Sequence, residues 1–132
     1  MSQSDDIGAL VKARLQQAQN ALDAGQLLFE QDLYSDSINR CYYAMFYAVL
    51  ALLVTRQLGT SKHKGAISLF DREFVKTGIF SKEMSMWLHH TFEQRLEADY
   101  ADLIESSIEA ANECYVQAEN FVRQVREYLQ TL

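Results

Sequence analysis

One arginine stands out because it occupies the apolar face of a predicted helix. Arg95 follows Leu88 and Phe92 by seven and three residues, and on an α-helix these offsets stay on one side. An unpaired charge that faces inward is unfavourable, and Asp99, one turn later, is the nearest candidate partner. The sequence leaves two interpretations open: a structural Arg95–Asp99 ion pair at a helix end, or an arginine in a cleft whose planar guanidinium binds a phosphate.

A second group of basic residues surrounds His63. Lys62 and Lys64 flank this histidine near the start of another predicted helix, where the helix dipole adds partial positive charge. The group either holds an anion or is solvated surface charge. The candidate ligand-binding residues are therefore His63, Lys64 and Arg95.

The spacing of potential metal ligands predicts neither a metal site nor a cofactor. A di-iron helical bundle uses Glu-x-x-His pairs on two helices, and this pattern is absent from the sequence. His89 and His90 are adjacent, so on a helix they point about 100° apart and do not readily share one ion. Glycine loops that cradle phosphate are also absent.

Composition indicates one helical domain spanning residues 1–132. The chain has no proline and only five glycines, which is too few turn residues for a β-rich fold. A net charge of −6 argues against broad nucleic-acid binding but leaves room for a local basic cleft.

The N-terminus is polar, unlike a secretion signal, and the apolar run 42–54, about 13 residues, is too short to span a bilayer. We therefore expect a cytoplasmic protein that does not insert into a membrane.

Apolar residues recur at helical spacing along most of the chain and predict five helices. Their approximate bounds are Ile7–Gln31, Asp36–Gln57, Lys62–Val75, Lys82–Ala98 and Leu103–Leu129. Gly59 and Gly78 are placed to end the second and third helices, and Ser81 to cap the fourth. The predicted fold is all-α, an antiparallel up-down bundle of about five helices, with the second helix at its centre because it is apolar on several faces.

Four runs carry a resemblance to a known family. Residues 34–47, YSDSINRCYYAMFY, resemble the second helix of HEPN proteins, and SKHKG at 61–65, FDREFVKTG at 70–78 and RLEADY at 95–100 resemble one small bacterial and archaeal HEPN subfamily. The resemblance covers about residues 8–129. It implies a helical bundle that often dimerises and is often a toxin encoded beside a nucleotidyltransferase antitoxin. We therefore expect a homodimer whose interface lies near Arg95 and Tyr100. Aromatic and methionine residues that one small core would not absorb favour it as well: Tyr43, Tyr47, Met86 and Trp87.

The resemblance also implies which residues act. Ribonuclease members of the family carry an arginine, then four to six intervening residues, then a histidine, and need no metal. Arg95 matches the arginine, but Tyr100 stands where the histidine is expected. The resemblance makes Arg95, Asp99 and Tyr100 the candidate catalytic residues, and a tyrosine near this motif can receive AMP from the partner.

Three functions remain open. The first is a toxin or nucleotide-binding partner of a nucleotidyltransferase, acting on RNA or a nucleotide. The second is an active metal-independent ribonuclease, in which Arg95 works with Asp99, Tyr100 or His63. The third is a non-catalytic helical adaptor.

Overall fold

Helices form wherever the sequence repeats apolar residues at helical spacing. The computed structural model describes residues 3–60, 62–100 and 107–132, with residues 97–100 described by their backbone alone. These residues form α1 (Gln3–Glu30), α2 (Tyr34–Thr55), α3 (His63–Phe70), a π-helical turn (Asp71–Val75), α4 (Lys82–Tyr100) and α5 (Ile108–Gln130). No strand occurs in this described part of the chain, and the all-α prediction is confirmed.

The central position predicted for α2 is confirmed. This helix packs against α1, α3, α4 and α5, because small and large apolar residues cover most of its circumference. By length and composition α2 is the one helix among the described residues that could cross a membrane. However, 61% of its most apolar window is buried inside the bundle. Packing within the domain therefore accounts for its apolar character.

The four long helices run up and down in turn. Ile7 of α1, Thr55 of α2 and Leu129 of α5 line one groove, so the start of α1 lies beside the ends of α2 and α5. Arg95, late in α4, contacts Tyr43, early in α2, so α4 runs antiparallel to α2. The predicted antiparallel bundle is confirmed.

Close approach of α1 and α2 depends on Gly25. This glycine is buried in mid-helix, and a Cβ atom added there would lie 3.0 Å from Cys41 Sγ. The Ser37 hydroxyl donates a hydrogen bond of 2.8 Å to the Gly25 carbonyl oxygen. The absent side chain lets the two backbones meet, a gain that offsets the weak helix propensity of glycine.

The helix ends confirm some predicted signals and correct others. Gly78 adopts a positive φ of 84° after the π-helical turn, and Ser81 Oγ accepts a hydrogen bond from the Met84 amide, as expected. Gly59 does not end α2: Gln57 takes the left-handed conformation, with φ of 55°. The Leu58 amide then donates to the Leu53 carbonyl oxygen, which closes the helix two residues before the glycine.

Three predicted helices differ from those observed. The first begins at Gln3, four residues before the predicted start at Ile7. The third changes to π-helical geometry at Asp71, where the Lys76 amide donates to the Asp71 carbonyl oxygen at 2.8 Å. The last begins at Ile108, five residues later than predicted, because the Ser107 hydroxyl caps it by accepting from the Ala110 amide. Residues 101–106, including the predicted start at Leu103, and Ser61, a proposed cap, lie outside the described residues.

Candidate functional site

An aromatic cluster joins α2, α3 and α4 at the α2 N-terminal half. Helix α2 contributes three rings to it, those of Tyr42, Tyr43 and Phe46. Phe46 follows the two tyrosines by four and three residues and so shares a helix face with each. The His63 ring, at the first residue of α3, stacks on Phe46 with 4.3 Å between ring centroids and 19° between planes. Phe92 of α4 closes the cluster at 5.5 Å from Tyr42. The imidazole is therefore enclosed by rings on several sides.

A hydrogen bond fixes the orientation of the His63 ring. The Tyr42 hydroxyl oxygen lies 2.7 Å from His63 Nδ1, and Tyr42 is fully buried. Burial lowers the pKa of His63, and the nearby Arg95 charge lowers it further. Burial likewise raises the pKa of Tyr42, opposed by Arg95. At neutral pH the pair therefore consists of a neutral phenol and a neutral imidazole.

Arg95 lies on the same aromatic wall. Its Cζ atom is 5.3 Å from the ring centroids of both Tyr42 and Tyr43, within the range of a cation–π contact. Its Nη2 group donates a hydrogen bond of 3.3 Å to the Tyr43 hydroxyl. The inward stripe predicted for Arg95 is confirmed, because Leu88 is buried and Phe92 is partly buried on the same side of α4.

A second arginine extends the positive charge along α2. Arg40 Cζ lies 4.7 Å from the Tyr43 ring centroid, so Tyr43 is in contact with two guanidinium groups. Both arginines are half-buried. The arrangement offers two fixed positive charges and a neutral imidazole on one partly exposed wall, a combination suited to a phosphodiester.

The structure brings together only some of the predicted site residues. Arg95 and His63 share the aromatic cluster. Lys64 is exposed and lies in a neighbouring groove between α3 and α4. Asp99 and Tyr100 belong to α4, but their side chains lie outside the described residues, so the predicted Arg95–Asp99 pair stays a prediction.

His63 differs in environment from the two lysines that flank it. Stacking and burial favour its uncharged form, and anion binding by His63 and Lys64 stays a prediction. Sequence reasoning had no access to this result, since Tyr42 and His63 are 21 residues apart.

His89, which lines the groove between α3 and α4, forms a pair that the sequence did not reveal. Asp71 Oδ2 lies 2.7 Å from His89 Nε2, and Asp71 Oδ1 accepts a hydrogen bond of 2.6 Å from the Ser85 hydroxyl. The π-helical turn positions this aspartate, and a π-helical turn has no simple sequence signature. Among the residues that the structure describes, no three His, Cys, Asp or Glu side chains are grouped so as to hold a metal ion.

Comparison with known families decides the classification. Residues 11–128 match the HEPN domain. The chain belongs to the HEPN family. It is 37% identical over 115 residues to a UPF0332 protein of Thermotoga maritima, covering 87% of each chain. It is 33% identical over 127 residues to a Methanocaldococcus jannaschii protein named "Putative toxin MJ0605", covering 96% of this chain and 94% of that one.

A second relative carries the same kind of name. The M. jannaschii protein "Putative toxin MJ0142" is 31% identical over 115 residues, which cover 87% of this HEPN chain and 78% of that one. The residues that match the HEPN domain include the whole aromatic cluster on α2, α3 and α4. The resemblance stated from the sequence is thereby confirmed.

Proposed function

We propose that this HEPN chain is the toxin of a prokaryotic toxin–antitoxin pair and that its aromatic cluster acts on the RNA backbone. The observation that carries the proposal is the meeting of Arg95 and His63 on the Tyr42–Tyr43 wall. The toxin assignment is supported by the names of two relatives.

On this proposal, His63 acts in place of the histidine that ribonuclease members carry after the arginine. Tyr100 is a poor base at neutral pH because a tyrosine pKa is near 10. The Tyr42 hydroxyl can accept as well as donate. When it accepts from Nδ1–H, His63 Nε2 has a free lone pair and can take a proton.

The proposed reaction is transesterification at an RNA phosphate. His63 Nε2 removes the proton of the ribose 2′-hydroxyl as that oxygen bonds to phosphorus. The bond from phosphorus to the 5′-oxygen breaks, and this leaving oxygen takes a proton from the imidazolium. Arg95 binds the non-bridging oxygens and stabilises the charge that develops on them. The products are a 2′,3′-cyclic phosphate and a 5′-hydroxyl.

The partner, the assembly and the compartment are further parts of the proposal. The resemblance supports a nucleotidyltransferase antitoxin, a homodimer and a cytoplasmic location. AMP transferred to Tyr100 would add a phosphate on the helix that carries Arg95, five residues away. Such a phosphate would compete for the guanidinium with RNA.

One observation favours a second function, the non-catalytic adaptor. The contacts of Arg95 with the Tyr42 and Tyr43 rings and the Tyr43 hydroxyl are all made within the chain. They tie α4 to α2 without any ligand. On this alternative, the cluster stabilises the fold and substitution of Arg95 has no effect beyond stability.

Growth of a bacterial host expressing the chain tests the proposal. We expect the wild type to arrest growth and Arg95→Ala to be harmless at equal expression, whereas Arg123→Ala, on the exposed face of α5, remains toxic. Coexpression of the adjacent nucleotidyltransferase should restore growth and add the mass of one AMP to the chain. A harmless wild type, or equal toxicity of Arg95→Ala, would favour the adaptor.

A further inference from the structure

The groove between α3 and α4 is a cavity that lies beside the aromatic cluster. It has a volume of about 410 Å³ and lies between α3 and α4, with Lys64, His89 and Glu93 as charged or titratable side chains. Ile67, Phe92 and Leu96 give it an apolar wall. A cavity of this size accommodates a small organic molecule.

Asp71 determines which nitrogen of His89 faces a ligand. A carboxylate in its ionised form only accepts hydrogen bonds, so the 2.7 Å contact requires His89 Nε2 to carry a proton. The Ser85 hydroxyl donates to the other oxygen of Asp71 and so holds the carboxylate in place. The contact thereby orients the His89 ring at the edge of the groove.

We propose that this groove binds one ribonucleotide unit of an RNA strand. Three chemical features converge there: the Lys64 ammonium for a phosphate, the Glu93 carboxylate for the ribose 2′-hydroxyl, and the Phe92 wall for the base. A phosphate alone explains neither the carboxylate nor the aromatic ring, and an apolar ligand explains neither charge. A ribonucleotide uses all three.

The groove and the aromatic cluster are contiguous. Phe92 lines the groove and is also 6.3 Å from the His63 ring, and Lys64 follows His63 directly. An RNA strand bound at the aromatic cluster is therefore adjacent to the groove. The inference rests on the proposed function for its ligand, RNA, and it shares one residue, Phe92, with the aromatic cluster.

Imidazole NMR signals give a direct test, because the chain has only three histidines. The full chain carrying Arg95→Ala, which prevents cleavage, is titrated with adenosine 5′-monophosphate, its 2′-deoxy analogue and an RNA trinucleotide. We expect the His89 signals to shift and those of His90, which points elsewhere on α4, to stay. Lys64→Ala should weaken binding about tenfold, and the neighbouring Lys62→Ala by less than about twofold.

Glu93→Ala tests whether the groove recognises the ribose 2′-hydroxyl. The Arg95→Ala protein is expected to bind the ribonucleotide about fivefold more tightly than the deoxyribonucleotide. Addition of Glu93→Ala should abolish this difference in affinity. All substituted residues are exposed or half-buried, and an unchanged circular dichroism spectrum confirms folding.

Several results would overturn the groove assignment. These are no shift at His89, equal shifts at His89 and His90, equal effects of Lys62→Ala and Lys64→Ala, or binding of the mononucleotide without the trinucleotide. The growth assay reports separately on Arg95. A failed titration with a harmless Arg95→Ala variant would therefore reject the groove and leave the proposed function standing.

Discussion

Arg95 shows how a charged side chain is accommodated on the apolar face of a helix. The sequence predicts the burial correctly and names a carboxylate as the partner. The structure adds contacts with two tyrosine rings and one phenol hydroxyl. Aromatic faces stabilise a guanidinium without neutralising its charge.

Substitution of Arg95 should lower stability only modestly. Arg95→Ala loses cation–π contacts and one hydrogen bond, and we expect the free energy of unfolding to fall by about 1 kcal/mol. Arg123→Ala, which removes an exposed ion pair of 3.7 Å with Glu127, should change it by less than about 0.5 kcal/mol. Urea denaturation measures both. A loss of about 3–5 kcal/mol in Arg95→Ala would instead indicate a buried structural ion pair.

The enclosed imidazole of His63 should make stability depend on pH. Because the folded-state pKa lies below the unfolded value of about 6.5, the unfolded chain binds more protons between the two values. Stability therefore falls as the pH drops below about 6.5 towards the folded pKa. We expect His63→Gln, which does not titrate, to lose less stability between about pH 7.5 and about pH 5.5 than the wild type. Equal losses, measured by urea denaturation at each pH, would contradict the enclosed environment.

Residue roles that depend on tertiary contacts were not accessible to sequence reasoning. Arg95 was identifiable because the apolar stripe that it shares with Leu88 and Phe92 lies within one helix, over two turns. His63 was a candidate because of its flanking lysines, but its contact with Tyr42 was not predictable, since the two residues are 21 apart in the sequence. The contact of His89 with Asp71, 18 residues away, was missed for the same reason. Spacing within one helix is readable from the sequence, whereas contacts between helices require the packing.

At the scale of helices, propensity predicts the long elements and misses local departures from α-geometry. The bounds of α2 and α4 fall within about two residues of prediction at each end. The π-helical turn at Asp71 was missed because its i+5 hydrogen bond leaves the apolar pattern nearly unchanged. This turn matters for the groove, since it carries the carboxylate that orients His89.

Two glycines of α1 should respond oppositely to alanine. Gly8 has no atom within 4 Å of an added Cβ, so Gly8→Ala should stabilise the protein by about 0.5–1 kcal/mol through helix propensity. At Gly25 the Cβ meets Cys41 Sγ at 3.0 Å, and we expect a net loss of about 1–2 kcal/mol because α1 and α2 must separate. Thermal melts compare the two. A stabilised Gly25→Ala variant would show that the helices adjust without strain.

At the scale of the whole molecule, the structure narrows the proposed dimer surface. Met86 precedes Arg95 by nine residues, about 180° around α4, so these two side chains face opposite directions and do not share one flat interface. Tyr43 and Tyr47 lie on the arginine side, with 5.9 Å between their ring centroids. The proposed homodimer interface therefore centres on these two tyrosines.

Light scattering tests this surface. At a concentration on the order of 10 μM, we expect a dimer for the wild type and for Met86→Glu, although Met86 is 68% exposed. Tyr47→Glu should shift the population to monomer, because a two-fold interface places the new charge on both sides. A monomeric wild type, or dissociation by Met86→Glu alone, would contradict the interface.

Mass spectrometry of RNA products measures whether the chain cleaves RNA and which ends it leaves. The purified chain is incubated with RNA in the presence of a metal chelator, beside Arg95→Ala and Arg123→Ala. We expect the wild type and Arg123→Ala to produce 2′,3′-cyclic phosphate and 5′-hydroxyl ends, and Arg95→Ala to be slower by about a hundredfold or more. RNA left intact by the wild type, or cleaved equally by Arg95→Ala, would contradict the account.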